Sequence, residues 1–406
     1  PRAQNGRAGC CQRLSLLNTT RMKSRATAIN FYSICFAFGL SVLLVFVGSG
    51  YADNTYYRPP MEPRRDITSF VKVEDGEEGS MLAIPTNSYN GTPNIEEILE
   101  KTRSKVKFEL LKYNYTHSGV KDLEDLLMES GGQPIRSLIL STWRSGTTFL
   151  GEILNAIPST FYHYEPLINY RIVQIRGPPH ADKVLTTIKN MFKCNFDGLD
   201  SYFEFGKDHI FQLSHNTRLW DHCKYNKDMC LDADFTSKFC RLLPFQTMKV
   251  VRVRLRLIQE ILEDKELNIK VVLLIRDPRG VMRSRQHLTF CQWGPDCWQP
   301  ELLCADMISD YVAAERLLPK YPDRLMVLRY EELALKPNVT THRVLEFLKL
   351  SATPSVEEFL QTHTNVEAGG VFSTFRVSGE VAFKWKKELD FDYVDSIQVC
   401  EGIHFF

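Results

Sequence analysis

The sequence has no excess of charge of either sign. Its 50 lysines and arginines are balanced by 49 aspartates and glutamates, which gives a formal net charge of +1 over 406 residues. Proteins that bind nucleic acids usually carry a clear positive balance, so this composition argues against that class. Any anion that the protein binds must therefore be held by a local cluster of basic residues.

The cysteine and histidine spacings of metal sites are also missing. No Cys-x-x-Cys pair and no histidine pair at ligand spacing occurs among the cysteines that follow residue 53. These are Cys194, Cys223, Cys230, Cys240, Cys291, Cys297, Cys304 and Cys400. An even number favours disulfides over zinc, with Cys223–Cys230 and Cys291–Cys297 near enough for local loops. The pairing of the others stays open.

Charged residues are absent between Arg25 and Asp53. Residues 29–50 are long enough to span a membrane, which takes about 20 apolar residues. Basic residues precede this segment and Asp53 follows it, so the positive-inside rule predicts a cytosolic tail at 1–28 and a luminal remainder. A cleaved signal peptide is the alternative, because small residues follow the apolar run.

The luminal part divides by composition. Residues 51–132 are predicted to form a stem, because the first part of this segment is polar and proline-rich and cannot bury a core. Within it, Asn94–Met128 has helical periodicity and is expected to pack on the globular domain, which is predicted at 133–406. Glycosylation sequons occur at Asn90, Asn114 and Asn338.

The chain has no nucleotide loop of the form G-x-x-x-x-G-K-[ST], so nothing argues for Mg-ATP chemistry. A related pattern lies at Ile135–Asn155, which reads IRSLILSTWRSGTTFLGEILN. Its apolar run 138–140 predicts a buried strand of a parallel sheet, and the spacing of apolar residues from Phe149 onward predicts a helix. A loop rich in glycine and hydroxyl groups joins the two.

This loop has the features of a phosphate-binding site. The N-terminus of a helix presents free N–H groups and a partial positive charge to an anion. Arg144 adds a fixed cation with planar donors, and Ser145, Thr147 and Thr148 add hydroxyl donors. The alternative is a plain strand–helix corner whose hydroxyls only cap the helix.

A second stretch has the same order of elements. Ile269–Ile275 is a buried-strand pattern, and RDPRGVMRSR follows it directly at 276–285. Pro278 suits the first turn of a helix, which places Arg276 at the end of the strand and Ser284 about two turns into the helix. Ligands of parallel sheets bind beyond the carboxyl ends of the strands, so two such corners suggest a ligand with a phosphate at each end. A solvated basic helix face is the alternative.

Together, TWRSGTTFLGEILN and LLIRDPRGVMRSR closely resemble the Golgi carbohydrate sulfotransferases that act on the 6-hydroxyl of galactose, N-acetylglucosamine or N-acetylgalactosamine. The resemblance covers roughly Gln133 to Cys400. It implies an α/β fold with a P-loop-like parallel sheet flanked by helices, preceded by a single transmembrane helix and a stem. It also implies a type II Golgi membrane protein whose luminal domain uses 3′-phosphoadenosine 5′-phosphosulfate (PAPS), without a metal, on a glycan or proteoglycan acceptor. A homodimer is left open.

The resemblance also implies residue roles. The first segment would hold the 5′-phosphosulfate of PAPS, and the second would hold its 3′-phosphate through Arg276 and Ser284. The expected donor-binding residues are Arg144, Ser145, Gly146, Thr147, Thr148, Phe149, Leu150, Arg276, Asp277, Pro278, Arg279, Gly280, Val281, Met282, Arg283 and Ser284.

Glu165 is the predicted general base, in the role of the carboxylate of the family's Glu-Pro-Leu segment. It ends the aromatic strand pattern that begins the stretch Phe161–Leu167, and the aromatic side chains would partly desolvate it. The alternative is a carboxylate that only pairs with a nearby arginine. His163 is the alternate base, and a strand period of two would place it on the same face as Glu165. Arg144 is expected to stabilise the leaving phosphate.

Three further elements are predicted. Met248–Leu257 alternates strictly, which predicts a strand whose face of Arg252, Arg254 and Arg256 is either solvated or a site for an anionic polysaccharide. Residues 324–330 predict another strand, and 339–348 a helix. A kinase-like phosphotransferase and a catalytically silent glycan-binding protein on the same fold remain the competing functions.

Overall fold

A computed structural model describes residues 94–116, 119–370 and 373–398. Its centre is a five-stranded sheet in the order β2-β3-β1-β4-β5, and every pair of neighbouring strands is parallel. The strands are β1 Ile135–Leu140, β2 Thr160–Tyr164, β3 Phe245–Val250, β4 Lys270–Ile275 and β5 Leu325–Arg329. The predicted parallel sheet is confirmed.

Helices flank this sheet, as predicted. In chain order they are α1 Ile95–Glu109, α2 Thr147–Asn155, α3 Ala181–Phe192, α4 Asp200–Asp208, α5 Ile210–Leu213, α6 Thr217–Trp220, α7 Ala233–Arg241, α8 Gln259–Glu263 and α9 Pro278–Gln286. They continue with α10 Pro295–Trp298, α11 Pro300–Leu317, α12 Tyr330–Leu335, α13 Pro337–Leu348, α14 Pro354–His363, α15 Ser378–Phe383, α16 Trp385–Glu388 and α17 Phe391–Gln398.

Strand β1 lies at the centre of the sheet, and all six of its residues are buried. Leu138, Ile139 and Leu140 are completely buried, and helix α2 packs across β1, the adjacent β3 and the edge strand β2. The chain leaves β1 toward one side of the sheet for β2 and β3, then crosses back to β4 and β5 on the other side. The loops that follow β1 and β4 therefore diverge from adjacent strands, and such a divergence leaves a crevice at the carboxyl edge.

Helix α1 belongs to the same core. Ile98, Leu99 and Val106 are buried in the main apolar cluster, which confirms that this segment packs on the globular domain. The helix ends at Glu109, however, well short of the predicted Met128. The later leucines instead lie in and around a short 3-10 turn, Glu124–Leu126, where Leu126 is buried.

The prediction of a strand through Leu257 is wrong. Strand β3 ends at Val250, and 255–257 form a 3-10 turn. Arg252 and Arg254 are also not solvated, since only 4% and 1% of their surfaces are exposed, and each pairs with a carboxylate. The reason is that carboxylates from distant segments, Glu165 and Asp310, cover this face. Neither arginine is left as a free basic site for a polysaccharide.

Disulfides join Cys194 to Cys240, Cys223 to Cys230, and Cys291 to Cys297. The two local loops predicted from spacing are thus present, and Cys400 lies outside the described residues. Within the described ranges, no group of three histidine, cysteine or carboxylate side chains is arranged to hold a metal ion.

The predicted membrane span at 29–50 lies outside the described residues. Among the helices of the described ranges, none combines the length and the apolar character needed to cross a membrane.

Candidate active site

The first corner of the site is the loop between β1 and α2. Arg144 and Gly146 have positive φ values of 70° and 90°, which turn the chain sharply into the helix. Gly146 caps α2, and no described side chain caps the helix beside it, so the N–H groups of the first turn face the loop. A Cβ atom at Gly146 would lie 2.2 Å from the ring of Tyr330. The position therefore requires glycine for its φ value and for its space.

The second corner follows β4. Asp277 caps helix α9 by accepting the N–H of Arg279 at 2.9 Å, and Pro278 occupies the first turn as predicted. Arg276 is buried at the end of the strand, and its guanidinium lies 4.3 Å from the ring centroid of Tyr330. Tyr330, which begins α12 directly after β5, therefore contacts both corners.

The two corners form a single site. Arg144 Nε donates to Ser284 Oγ at 3.0 Å, and Arg276 Nη1 donates to the carbonyl of Arg144 at 2.9 Å. Burial and the neighbouring charge of Arg276 lower the pKa of Arg144 to about 10, so Arg144 remains a cation at neutral pH. Two adjacent, largely buried guanidinium groups favour the binding of an anion between or beside them.

Arg276 has further features of an anion-binding residue. Its Nε is buried and has no hydrogen-bond partner among the described residues. A Cβ atom at Gly280 would lie only 3.1 Å from this nitrogen, so the glycine gives the guanidinium its space. A buried donor without a partner is costly, and an anionic ligand would satisfy it. These residues fit a donor that carries phosphates at both ends.

The other predicted residues of the second corner have structural contacts. Arg279 pairs with Asp277 at 2.7 Å and lies over the ring of Trp385, and Arg283 pairs with Glu388. Val281 and Met282 of the second corner are buried in an apolar cluster, and at the first corner Leu150 is buried and Phe149 is half-buried. Their side chains support the two corners by packing.

Glu165 lies just beyond β2, in a left-handed conformation with φ 45°. Its carboxylate is bound on one oxygen by Lys249 Nζ at 2.8 Å and on the other by Arg252 Nη1 at 2.6 Å. Burial alone would raise the pKa of Glu165, but the two cations hold it at about 2. The alternative of a carboxylate paired with an arginine is thus realised in this state. Glu165, Lys249 and Arg252 are called the Glu165 cluster below.

His163 does not share a face with Glu165, so that expectation is wrong. Its ring lies against Phe161, Phe192 and Phe196, and burial lowers its pKa to about 3. The alternation of the strand ends at Tyr164, and the left-handed Glu165 turns toward the side of α2 instead. A neutral imidazole in an aromatic pocket is a weak base, because protonation must overcome its burial.

Arg252 connects the cluster to the loop between β1 and α2, which with the first turn of α2 is called the donor loop below. Its Nε donates to the carbonyl of Arg171 at 2.7 Å, and its guanidinium lies 5.4 Å from the ring centroid of Trp143, which precedes Arg144. The same side chain binds Glu165, so one guanidinium fixes both ends of the segment 165–171.

Sequence reasoning missed Lys249, Tyr330 and Trp385 as parts of the site. Lys249 is paired with a residue 84 positions earlier in the chain, across two strands whose pairing no local pattern reveals. The available signal was a lysine inside an apolar strand pattern, since a lysine is rarely buried unless it is paired. Tyr330 had the weaker signal of following a predicted strand directly.

Comparison with known proteins matches residues 134–398 to the sulfotransferase domain family. The chain belongs to this family. The resemblance inferred from the two sequence segments is therefore confirmed.

Several carbohydrate sulfotransferases are similar to this sulfotransferase-domain chain. Carbohydrate sulfotransferase 3 of Homo sapiens is 27% identical over 310 residues, which are 65% of this chain and 65% of that protein. Carbohydrate sulfotransferase 1 of Danio rerio is 28% identical, over 66% of this chain and 76% of that protein. Carbohydrate sulfotransferase 4 of Mus musculus is 27% identical, over 68% of this chain and 81% of that protein.

Proposed function

We propose that this protein transfers a sulfuryl group from PAPS to a sugar hydroxyl of a glycan or proteoglycan, with the 6-hydroxyl of galactose, N-acetylglucosamine or N-acetylgalactosamine as the acceptor group. The observation that carries the proposal is the joining of two cationic corners, Arg144 and Arg276, at the carboxyl edge of adjacent strands. PAPS carries one anionic group on the 3′ position and another on the 5′ position of its ribose, which matches this arrangement. The similar proteins are carbohydrate sulfotransferases, which supports the same class of acceptor.

The residues of the first corner act on the 5′ side of the donor. As the bond from sulfur to the bridging phosphate oxygen breaks, the phosphate leaves with the electron pair. Arg144 and the first-turn N–H groups of α2 stabilise that charge. Because these groups supply fixed positive charge, the reaction requires no metal. Arg276 and Ser284 hold the 3′-phosphate at the second corner.

Glu165 accepts the proton of the acceptor hydroxyl as the sugar oxygen bonds to sulfur. Its position supports this role, because Lys249 joins its carboxylate to Thr148 of the donor loop. The side chain is 12% exposed, so it can be reached from the crevice without being fully hydrated. A pKa of about 2 makes it a weak base in the state described, which means that its ion pairs must loosen before it can work.

We also propose the topology expected from the sequence. Residues 1–28 would be a cytosolic tail, 29–50 a signal anchor, 51–132 a stem whose later part packs on the core through α1, and 133–406 the catalytic domain in the Golgi lumen. Two observations agree with a luminal domain: the disulfides, and the exposure of Asn114 and Asn338, two of the sequon asparagines.

The test is transfer from labelled PAPS to a glycan panel by the full chain, with donor affinity measured by calorimetry. Arg144→Ala and Arg276→Ala should each weaken PAPS binding by at least tenfold, because each removes a charge-assisted contact of about 1.5–3 kcal/mol. Arg343→Ala is the control, since Arg343 pairs with Glu332 at the surface and both side chains are about half exposed. Unchanged affinity in both site variants would contradict the two-corner model.

A glycan-binding protein without turnover is the second candidate function. The observation that favours it is the full pairing of Glu165 with two cations. Glycan binding with no transfer to any acceptor would support this candidate.

A further inference from the structure

Lys249 lies between the donor loop and the predicted base. It projects from β3, its side chain is 3% exposed, and its Nζ lies 2.8 Å from Glu165 Oε1. The same nitrogen donates to Thr148 Oγ1 at 3.1 Å and lies 3.8 Å from the ring centroid of Tyr164. Thr148 is in the first turn of α2, where the donor's phosphosulfate is proposed to bind.

Lys249 is charged in this position. Burial alone would lower its pKa, but the charge of Glu165 and the side chain of Tyr164 raise it above its ordinary value. A buried ammonium group needs an anionic partner, and Glu165 supplies it in the state described. A second anion at the first turn of α2 would compete for the same ammonium group.

We propose that Lys249 is a catalytic residue that exchanges partners, binding Glu165 before the donor arrives and the transferring sulfuryl group afterwards. This inference rests on the proposed function and deepens it. The ammonium group needs only a small rotation, because Thr148 already lies within hydrogen-bonding distance of it. No proton is transferred by Lys249, and the bonds made and broken are those of sulfuryl transfer from PAPS to the sugar oxygen.

The exchange also explains how Glu165 becomes a usable base. When Lys249 turns toward the sulfuryl group, Glu165 keeps Arg252 but loses one of the two cations that lower its pKa. Tyr164 and Tyr162 are the other ionisable groups that interact with the cluster. Burial and the nearby carboxylates Glu152 and Glu165 raise the pKa of Tyr162 well above its ordinary value, so Tyr162 remains neutral at pH 7. The carboxylate therefore gains basicity only when the donor is bound, which predicts that the donor binds before the acceptor.

The experiment replaces Lys249 by methionine in the full chain and compares it with Lys270→Met. Lys270 is the matched control, because it is also a buried lysine of the sheet. It lies at the first residue of β4, at the opposite end of the strand from the site, and donates to the carbonyl of Asp323. Turnover, its pH profile, the melting temperature and the calorimetric affinities for PAPS and for the desulfated 3′,5′-bisphosphate are measured for both.

We expect Lys249→Met to lower kcat by about 10²–10³-fold, as removal of one electrostatic stabiliser does in other enzymes. Affinity for PAPS should fall, whereas affinity for the bisphosphate, which lacks the sulfuryl group, should change less than about threefold. The acidic limb of the kcat/KM profile for PAPS, which reports the free enzyme, should move to higher pH, because Glu165 in that state loses the Lys249 cation that lowers its pKa. Lys270→Met should retain the turnover, affinities and pH profile of the parent.

Two results would overturn the inference. If a folded Lys249→Met variant has kcat within threefold of the parent and an unmoved acidic limb, Lys249 is not catalytic and only the inference fails. If the parent itself transfers no sulfate, the proposed function fails with it. Should Lys249→Met not fold, Lys249→Gln keeps hydrogen-bonding atoms near Thr148 and Glu165 without the charge, and the same outcomes decide.

Discussion

Replacing Glu165 by glutamine should destabilise the protein strongly, whatever its effect on turnover. The substitution leaves Lys249 and Arg252, with side chains 3% and 5% exposed, facing a neutral amide. Removal of one member of a buried charge cluster costs about 3–5 kcal/mol, because the remaining charge stays buried without compensation.

The depressed pKa gives an independent measure of the same effect. The pKa of Glu165 is about 2, against an ordinary value of 4.5. The charged carboxylate therefore contributes about 3 kcal/mol of stability at pH 7. Because the folded-state value is the lower one, this contribution is complete above about pH 5 and is lost as the pH falls toward 2. Parent and variant should thus converge in stability in acid.

Thermal unfolding of the full chain measures the change, and a double-mutant cycle identifies its cause. A loss of 3–5 kcal/mol should lower the Tm of Glu165→Gln by roughly 5–8 °C, because a unit of about 300 residues has an unfolding entropy of about 0.6 kcal/mol/K. Adding Lys249→Met should recover part of that loss, because it removes one of the uncompensated charges. Glu332→Gln is the control, since Glu332 pairs with Arg343 at the surface and should matter little. A Tm of Glu165→Gln within 2 °C of the parent at pH 7 would refute this reasoning.

Three further predictions concern other parts of the fold. Gly146→Ala should abolish PAPS binding in calorimetry, because the φ of 90° and the ring of Tyr330 leave no place for a Cβ atom; binding equal to the parent would contradict this. Between pH 7 and pH 5, His163→Phe should lose about 2 kcal/mol less stability to unfolding than the parent. The pKa of His163 is lowered to about 3 in the folded protein, so below about pH 6.5 the proton binds the unfolded chain and the parent is destabilised. Equal acid sensitivity of parent and variant would argue against a neutral buried imidazole. Replacing Cys194 and Cys240 by serine should lower the free energy of chemical unfolding by about 4 kcal/mol, because this disulfide closes a separation of 46 residues. Replacing Cys223 and Cys230, whose separation is 7 residues, should lower it by about 2 kcal/mol. Equal losses for the two pairs would contradict the loop-entropy account.

The strands and the helices at the two corners could be predicted because their patterns are local. The apolar runs at β1 and β4 and the proline at the start of α9 each depend on a few neighbouring residues. The strand prediction at Met248–Leu257 failed for the opposite reason. Alternating arginines have the period of an exposed strand face, but the carboxylates that bury them come from Glu165 and Asp310, far away in the chain.

The candidate site was predictable to the same extent. The expected donor-binding residues lie on two segments, 144–150 and 276–284. The positions of these segments follow from the rule that ligands bind beyond the carboxyl ends of parallel strands. The pairing of Lys249 with Glu165 instead depends on the register of β2 against β3, in which Tyr164 lies opposite Lys249. The contact of Tyr330 with Gly146 depends on the order of strands in the sheet. Neither register nor strand order can be read from one sequence.

The residues with strained backbone conformations at the site are hydrogen-bonded by Arg276 and Arg252, whose guanidinium groups also set the charge of the site. Arg144, Glu165 and Arg171 have φ values of 70°, 45° and 57°, and residues other than glycine rarely adopt such values without cost. Arg276 donates to the carbonyl of Arg144, and Arg252 donates to the carbonyl of Arg171 while it binds the carboxylate of Glu165. Each strained residue is therefore fixed by an arginine that also shapes the charge of the site. Substitution of either arginine would consequently alter loop geometry together with electrostatics, which is why Lys249, attached to regular strand β3, offers the cleaner test of charge alone.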